Sequence, residues 1–85
     1  MRRKELLARI SRGALGNVGF ADFQRLIEGF GFRLLRSRGS HFVYARSGIP
    51  NIVNLQEVGG QAKPYQIRQF LRIVERYNLK MEDDA

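Results

Sequence analysis

His41 is the one histidine of the chain, and arginines surround it: Arg36 and Arg38 just upstream, Arg46 just downstream. A histidine imidazole ordinarily titrates near ~6.5, so around neutrality it takes or gives a proton at little cost. RNA carries its own nucleophile, the 2′-hydroxyl beside each phosphate. One base placed at that hydroxyl can start cleavage, and one cation can stabilise the charge developing on the phosphate oxygens. This chemistry requires no metal. The sequence offers no ligand set for one either, because it has no cysteine and no carboxylate cluster beside its single histidine. No cofactor is expected. On position alone, an ordinary strand histidine bonded to a loop carbonyl is the commoner case, and its surroundings must argue for more.

A second feature is the run Gly59-Gly60-Gln61-Ala62-Lys63-Pro64-Tyr65, which brings flexible backbone and a lysine to the start of a helix. Free N–H groups and the helix dipole attract phosphate there, although a plain loop-to-helix transition explains the same residues equally well. Other arrangements fail on geometry. Ser40 and His41 are adjacent, so on a strand their side chains point to opposite faces and cannot form a nucleophile–base pair. Asp22 and Glu28 do not face each other on one helix. The glycine-rich segments lack the Lys-Ser/Thr or strand context of nucleotide-binding loops. Arg68, Arg72 and Arg76 read as a solvated helix face, and Phe42 and Tyr44 as support for a core or a protein interface.

The elements that must position His41 follow from periodicity and turn residues. Residues 3–12 predict a short helix with Leu6, Leu7 and Ile10 on one side, stopped at Gly13. A glycine-rich connector, residues 13–19, leads to a helix from about Ala21 to Phe30, with Phe23, Leu26, Ile27 and Phe30 on one face. Gly31 is suited to end it. Residues 32–38 and 41–46 flank Gly39-Ser40, a hairpin signal. Ser47–Asn51 reads as a turn into a short strand at Ile52–Leu55, and Gln56–Ala62 as a loop. Pro64 opens the last helix, whose apolar stripe is Ile67, Phe70, Leu71, Val74 and Tyr77.

Together these predict an α+β fold: a two-layer α-β-β-β-α domain with a three-stranded antiparallel sheet, two helices on one face, and an extra N-terminal helix. This is also the element order of the double-stranded-RNA-binding domain. The expected organisation is residues 1–19 as N-terminal helix and connector, 20–79 as the α-β-β-β-α domain, and 80–85 as a frayed acidic tail.

Composition narrows the partners. The 85 residues carry a net charge of +7. Ten basic and three acidic residues lie in 1–46, while five of each lie in 47–85, so the first half holds the whole imbalance. Most of the cations are arginines, which fork onto phosphate oxygens as lysine cannot. A polyanion is the natural partner, with an acidic protein as the alternative. No apolar run approaches the ~20 residues that span a bilayer, and no signal-peptide core follows the basic N-terminus. A cytoplasmic protein without membrane contact is the expectation.

The order Phe23-x-x-Leu26-x-x-x-Phe30-Gly31-Phe32, then Gly39-Ser40-His41, then a Pro64-Tyr65 helix opened by Lys63 resembles the HicA family of mRNA interferase toxins over about residues 20–79. The resemblance implies a double-stranded-RNA-binding-domain-like fold and the toxin component of a type II toxin–antitoxin system. It implies metal-independent cleavage of mRNA and neutralisation by a cognate HicB-type antitoxin. The family's functional histidine falls on His41, and its basic residue opening the last helix falls on Lys63. The expected RNA-binding set is Arg36, Arg38, Gly39, Ser40, Arg46 and Lys63. Where many members carry a Pro-x-His segment after the third strand, this chain has Asn54-Leu55-Gln56. The alternative reading is a non-catalytic RNA-binding module of the same fold. A homo-oligomer is compatible with the sequence, and residues 1–18 are open to RNA, antitoxin or a second copy.

Overall fold

The computed structural model describes residues 1–82. It is an α+β fold in which α1 (Arg3–Ser11) and α2 (Phe20–Gly29) precede β1 (Arg33–Arg38), β2 (His41–Arg46), β3 (Ile49–Val58) and β4 (Gln61–Ala62), and α3 (Pro64–Arg76) follows. The sheet is antiparallel throughout, in the order β1-β2-β3-β4. Among the described residues no helix is long and apolar enough to cross a membrane.

Each helix ends where its sequence supplies a residue that tolerates a left-handed backbone. At the end of α2, Gly31 has φ +88°. Its N–H donates to the Glu28 carbonyl, and the Phe32 N–H donates to the Ile27 carbonyl. That pair of bonds is a Schellman motif, and the accompanying apolar contact is supplied by Ile27 and Phe32, both buried. The same pair closes α1 at Gly13 and Ala14. It closes α3 at Asn78 and Leu79, with Asn78 at φ +50°.

The core is one cluster to which every helix and the two central strands contribute. Phe23, Leu26 and Ile27 of α2 meet Tyr44 of β2, Val53 and Leu55 of β3, and Ile67 and Phe70 of α3. Phe70 is its hub. Its ring makes edge-to-face contacts with Phe23, Phe30 and Phe32 at centroid distances of 5.8, 5.6 and 5.5 Å. Leu71, Val74 and Tyr77 of the expected stripe are only partly buried. Leu6 and Ile10 of α1, and Leu15 and Val18 of the connector, are buried in the same cluster, so residues 1–19 are part of this core.

The sheet departs from expectation by one strand. Gln56–Ala62 is not a loop: β3 continues to Val58, turns at Gly59-Gly60 and returns as β4. Both glycines have positive φ, +58° and +76°, as a two-residue type I′ hairpin requires. The connector clamps the new strand, with Ala62 N–H donating to Val18 and Phe20 N–H to Gly60, each at 2.9 Å. β3 also starts earlier than expected, at Ile49, because Pro50 falls in an irregular stretch between β2 and β3 where a missing N–H is tolerated. The tail read as frayed is held as far as Glu82, whose N–H donates to Gly29 at 2.7 Å. The remainder of that tail, residues 83–85, lies outside the described residues.

Tyr44 anchors β2 under α2, its hydroxyl accepting a 2.8 Å bond from the Gln24 amide. Burial pushes its phenol above the ordinary value of 10.0; the Gln24 bond works the other way, and the Glu28 carboxylate adds to the rise.

Two predictions follow from the core. Phe70→Ala should lower unfolding free energy by about 3–5 kcal/mol in denaturant titration, since both burial and three ring contacts are lost. A phenol that holds its proton more tightly when folded contributes stability that is complete below pH ~10 and is lost as pH rises through the folded value. Melting curves should therefore show a drop in Tm above that pH that is shallower in Tyr44→Phe than in the wild type.

Candidate nucleic-acid interface

His41 is the first residue of β2, placed by the two-residue turn Gly39-Ser40. Gly39 has φ +58° and Ser40 is not left-handed, the pattern of a type II′ hairpin with glycine at its first central position. The imidazole-bearing residue is exposed. Phe42 and Tyr44 alternate with it and face the helices, the Phe42 ring packing tilted against Phe20 with centroids 5.0 Å apart. His41, Val43 and Ala45 therefore share the opposite, open face of the sheet.

Register brings arginines to that face. Arg38 is the cross-strand partner of His41, and Arg36 is the partner of Val43. Directly paired residues point the same way, with Cβ atoms about 5 Å apart. The phase depends on a bulge between Leu34 and Arg36, where Leu35 is the extra residue. Before it, Arg33 pairs with Ala45. Were the strand to run regularly through Leu35, Arg36 and Arg38 would turn to the helix side. With it, Arg33, Arg36 and Arg38 all lie in phase with His41.

On the other side of His41 stands Gln56 of β3, its register partner. The Glu57 N–H donates to the Ser40 carbonyl at 2.9 Å. That bond makes His41 and Gln56 a non-hydrogen-bonded pair, the kind whose Cα atoms approach to about 4.5 Å. The Gln56 side-chain carbonyl accepts a 2.7 Å bond from the Lys63 ammonium. Lys63 is the N-cap of α3, and Pro64 follows it at the first turn. The backbone N–H of Gln56 points past the end of β4, and the side chain of Gln66, only 8% exposed, accepts it at 2.9 Å. Gln66 in turn donates to the Tyr65 hydroxyl at 3.4 Å. A chain of contacts thus runs from His41 through Gln56 to Lys63 and the first turn of α3.

Of the residues expected to bind RNA, the fold gathers Arg36, Arg38, Gly39, Ser40 and Lys63 around His41. It does not bring Arg46 there. Arg46 is in phase with Phe42 and Tyr44, and its guanidinium donates to the Phe30 carbonyl at 2.8 Å, closing the C-terminal end of α2. Its side chain also lies against Gly31. Arg68, Arg72 and Arg76 are exposed along α3. Arg72 and Arg76 line a groove of about 320 Å³ with Asn51 and Ile52, near the start of β3, whereas Gln56 stands near its end. The sequence reading missed Gln56 and Gln66, which carry no motif. It also missed Arg33, whose place depends on the bulge.

Electrostatically the face is uncompensated by the described residues. Among the described residues the ion pair that forms is between the Met1 α-amino group and Asp22, at 3.3 Å. The arginines of β1 are thus left without a carboxylate partner from the described residues. Among those residues no three His, Cys, Asp or Glu side chains come together as a metal site would need.

No protein-family model matches this chain, and neither the curated proteins nor the solved structures contain a significant match to it.

The Gln66 amide completes a backbone bond that the short β4 leaves open. Gln66→Leu should cost about 1–3 kcal/mol of stability in chemical denaturation, the penalty of an unpaired N–H.

Proposed function

We propose that this chain is a metal-independent endoribonuclease that cleaves mRNA with His41 as its proton-transfer group. The observation that carries the proposal is the convergence on one open sheet face of His41, its neighbours Arg36 and Arg38, and Lys63 held by Gln56. An open face lined with cations suits an extended, single-stranded polyanion. His41 accepts the proton of a 2′-hydroxyl as that oxygen attacks the adjacent phosphorus. The bond from phosphorus to the 5′-oxygen breaks, and the leaving oxygen takes a proton from solvent. Lys63 has three donors, of which Gln56 occupies one, so it can still hold a phosphate oxygen. Arg36, Arg38 and the backbone of Gly39-Ser40 hold the flanking phosphates. DNA, lacking the 2′-hydroxyl, cannot follow this course.

The finer identity rests on the resemblance of residues 20–79 to HicA toxins. On this reading the α+β fold is a double-stranded-RNA-binding-domain variant with an added N-terminal helix and hairpin. The protein is the toxin of a type II pair acting in the cytoplasm, and a HicB-type antitoxin covers the cationic face. A non-catalytic RNA-binding module is the second reading. It is favoured by the exposed position of His41 on a sheet surface.

Labelled single-stranded RNA incubated in EDTA with wild type or His41→Ala separates the two. The endonuclease reading expects cleavage by the wild type with 2′,3′-cyclic phosphate ends. It also expects a loss of about 10²–10⁴-fold in rate for the variant, with RNA affinity largely kept. RNA bound by both proteins and cut by neither would leave the binding module as the function.

A further inference from the structure

The three tyrosines each bond through the hydroxyl, but to different ends. Tyr44 is 1% exposed and bonded to Gln24. Tyr77 is partly buried and bonded to Asn51 at 2.7 Å. Tyr65 stays 50% exposed, although its hydroxyl is tied to the buried Gln66 amide. Its ring also has the Lys63 ammonium 5.8 Å from its centroid. The ring is therefore held in a set orientation while much of its apolar surface meets water. Packing among the described residues does not account for that surface. A fixed aromatic surface loses little freedom on binding a flat partner.

We propose that Tyr65 is a stacking platform for a nucleobase of single-stranded RNA, an inference that rests on the RNA reading of the His41 face. Lys63 connects the two places: it bonds Gln56, the cross-strand partner of His41, and its ammonium lies beside the Tyr65 ring. A strand whose phosphate meets Lys63 near His41 brings the base of a neighbouring nucleotide onto Tyr65. Any base has a face to stack, so the contact tolerates sequence and favours unpaired over duplex RNA, whose bases are already stacked. Tyr65 acts in binding and takes no part in proton transfer.

The chain contains no tryptophan, so Tyr65→Trp creates a single emitter at the platform. Binding is measured by anisotropy of a labelled single-stranded oligoribonucleotide in a His41→Ala background, which keeps the RNA whole. The platform expects Tyr65→Leu to weaken binding about tenfold or more, and Tyr65→Phe and Tyr65→Trp to stay within about threefold of the parent. It further expects RNA to quench the Tyr65→Trp emission and polyphosphate, a polyanion without bases, to leave it unchanged. If RNA binds Tyr65→Leu as tightly as the parent and leaves the tryptophan unquenched, the platform is wrong and the RNA reading stands. If the protein with Tyr65 intact binds no RNA, the RNA reading fails and the platform with it.

Discussion

The ring of Phe70 holds the molecule to its shape. It is packed edge-on by Phe23 within α2, Phe30 at the end of α2 and Phe32 at the entry to β1. One side chain of the last helix thereby fixes the whole α2-to-β1 corner. Each such contact adds about 0.5–1.5 kcal/mol beyond burial, and an edge-to-face arrangement is directional where burial alone is not. One turn and two turns toward the N-terminus of the same helix stand Gln66 and, at its N-cap, Lys63. The orientation of α3 set by Phe70 is thus also what aims the lysine at Gln56 and, across one strand spacing, at His41.

Above this apolar layer the sheet carries a cationic surface with few internal carboxylates to balance it. Mutual repulsion among Arg36, Arg38 and Lys63 is tolerable because both arginines are exposed to water and Lys63 is only half-buried, and in water the Coulomb energy between unit charges a few ångströms apart is about 1 kcal/mol. The fold therefore bears the concentrated charge at little cost and presents it ready for a polyanion. Arg46 shows the contrasting use of the same residue type. Turned inward by one step of the strand, it serves a helix carbonyl and is a part of the scaffold.

Much of the plan was legible in the chain because its signals are local. Gly39-Ser40, Gly31 and Pro64 each mark a boundary through a backbone preference of their own. The Phe23, Leu26, Ile27 face of α2 follows from spacing alone. The fourth strand was also encoded locally, in Gly59-Gly60, but the short flanking segments hid the hairpin. What could not be read depends on phase and distance. Whether Arg46 faces RNA or a helix end turns on strand alternation. Gln56 meets Gln66 and Lys63 only because β4 stops at Ala62 and the helix begins at once. The site's function was read from His41 and its neighbours, and its architecture had to be seen in space.

Leu35 gives the first strand an unusual tolerance of a change in length. In a regular strand the loss of one residue turns every side chain beyond it to the other face. Here the bulge takes up the extra residue, so that Arg33 stays on the same side as Arg36 and Arg38. Descendants of this sequence are free to exchange side chains along the strand one at a time. Losing Leu35 itself would leave Arg33, Leu34, Arg36, Ser37 and Arg38 opposite Ala45, Tyr44, Val43, Phe42 and His41 without a break, so the bulge would vanish and the arginines would keep their side. The bulge is thus the place where the strand takes up a change of length without turning its cationic side over.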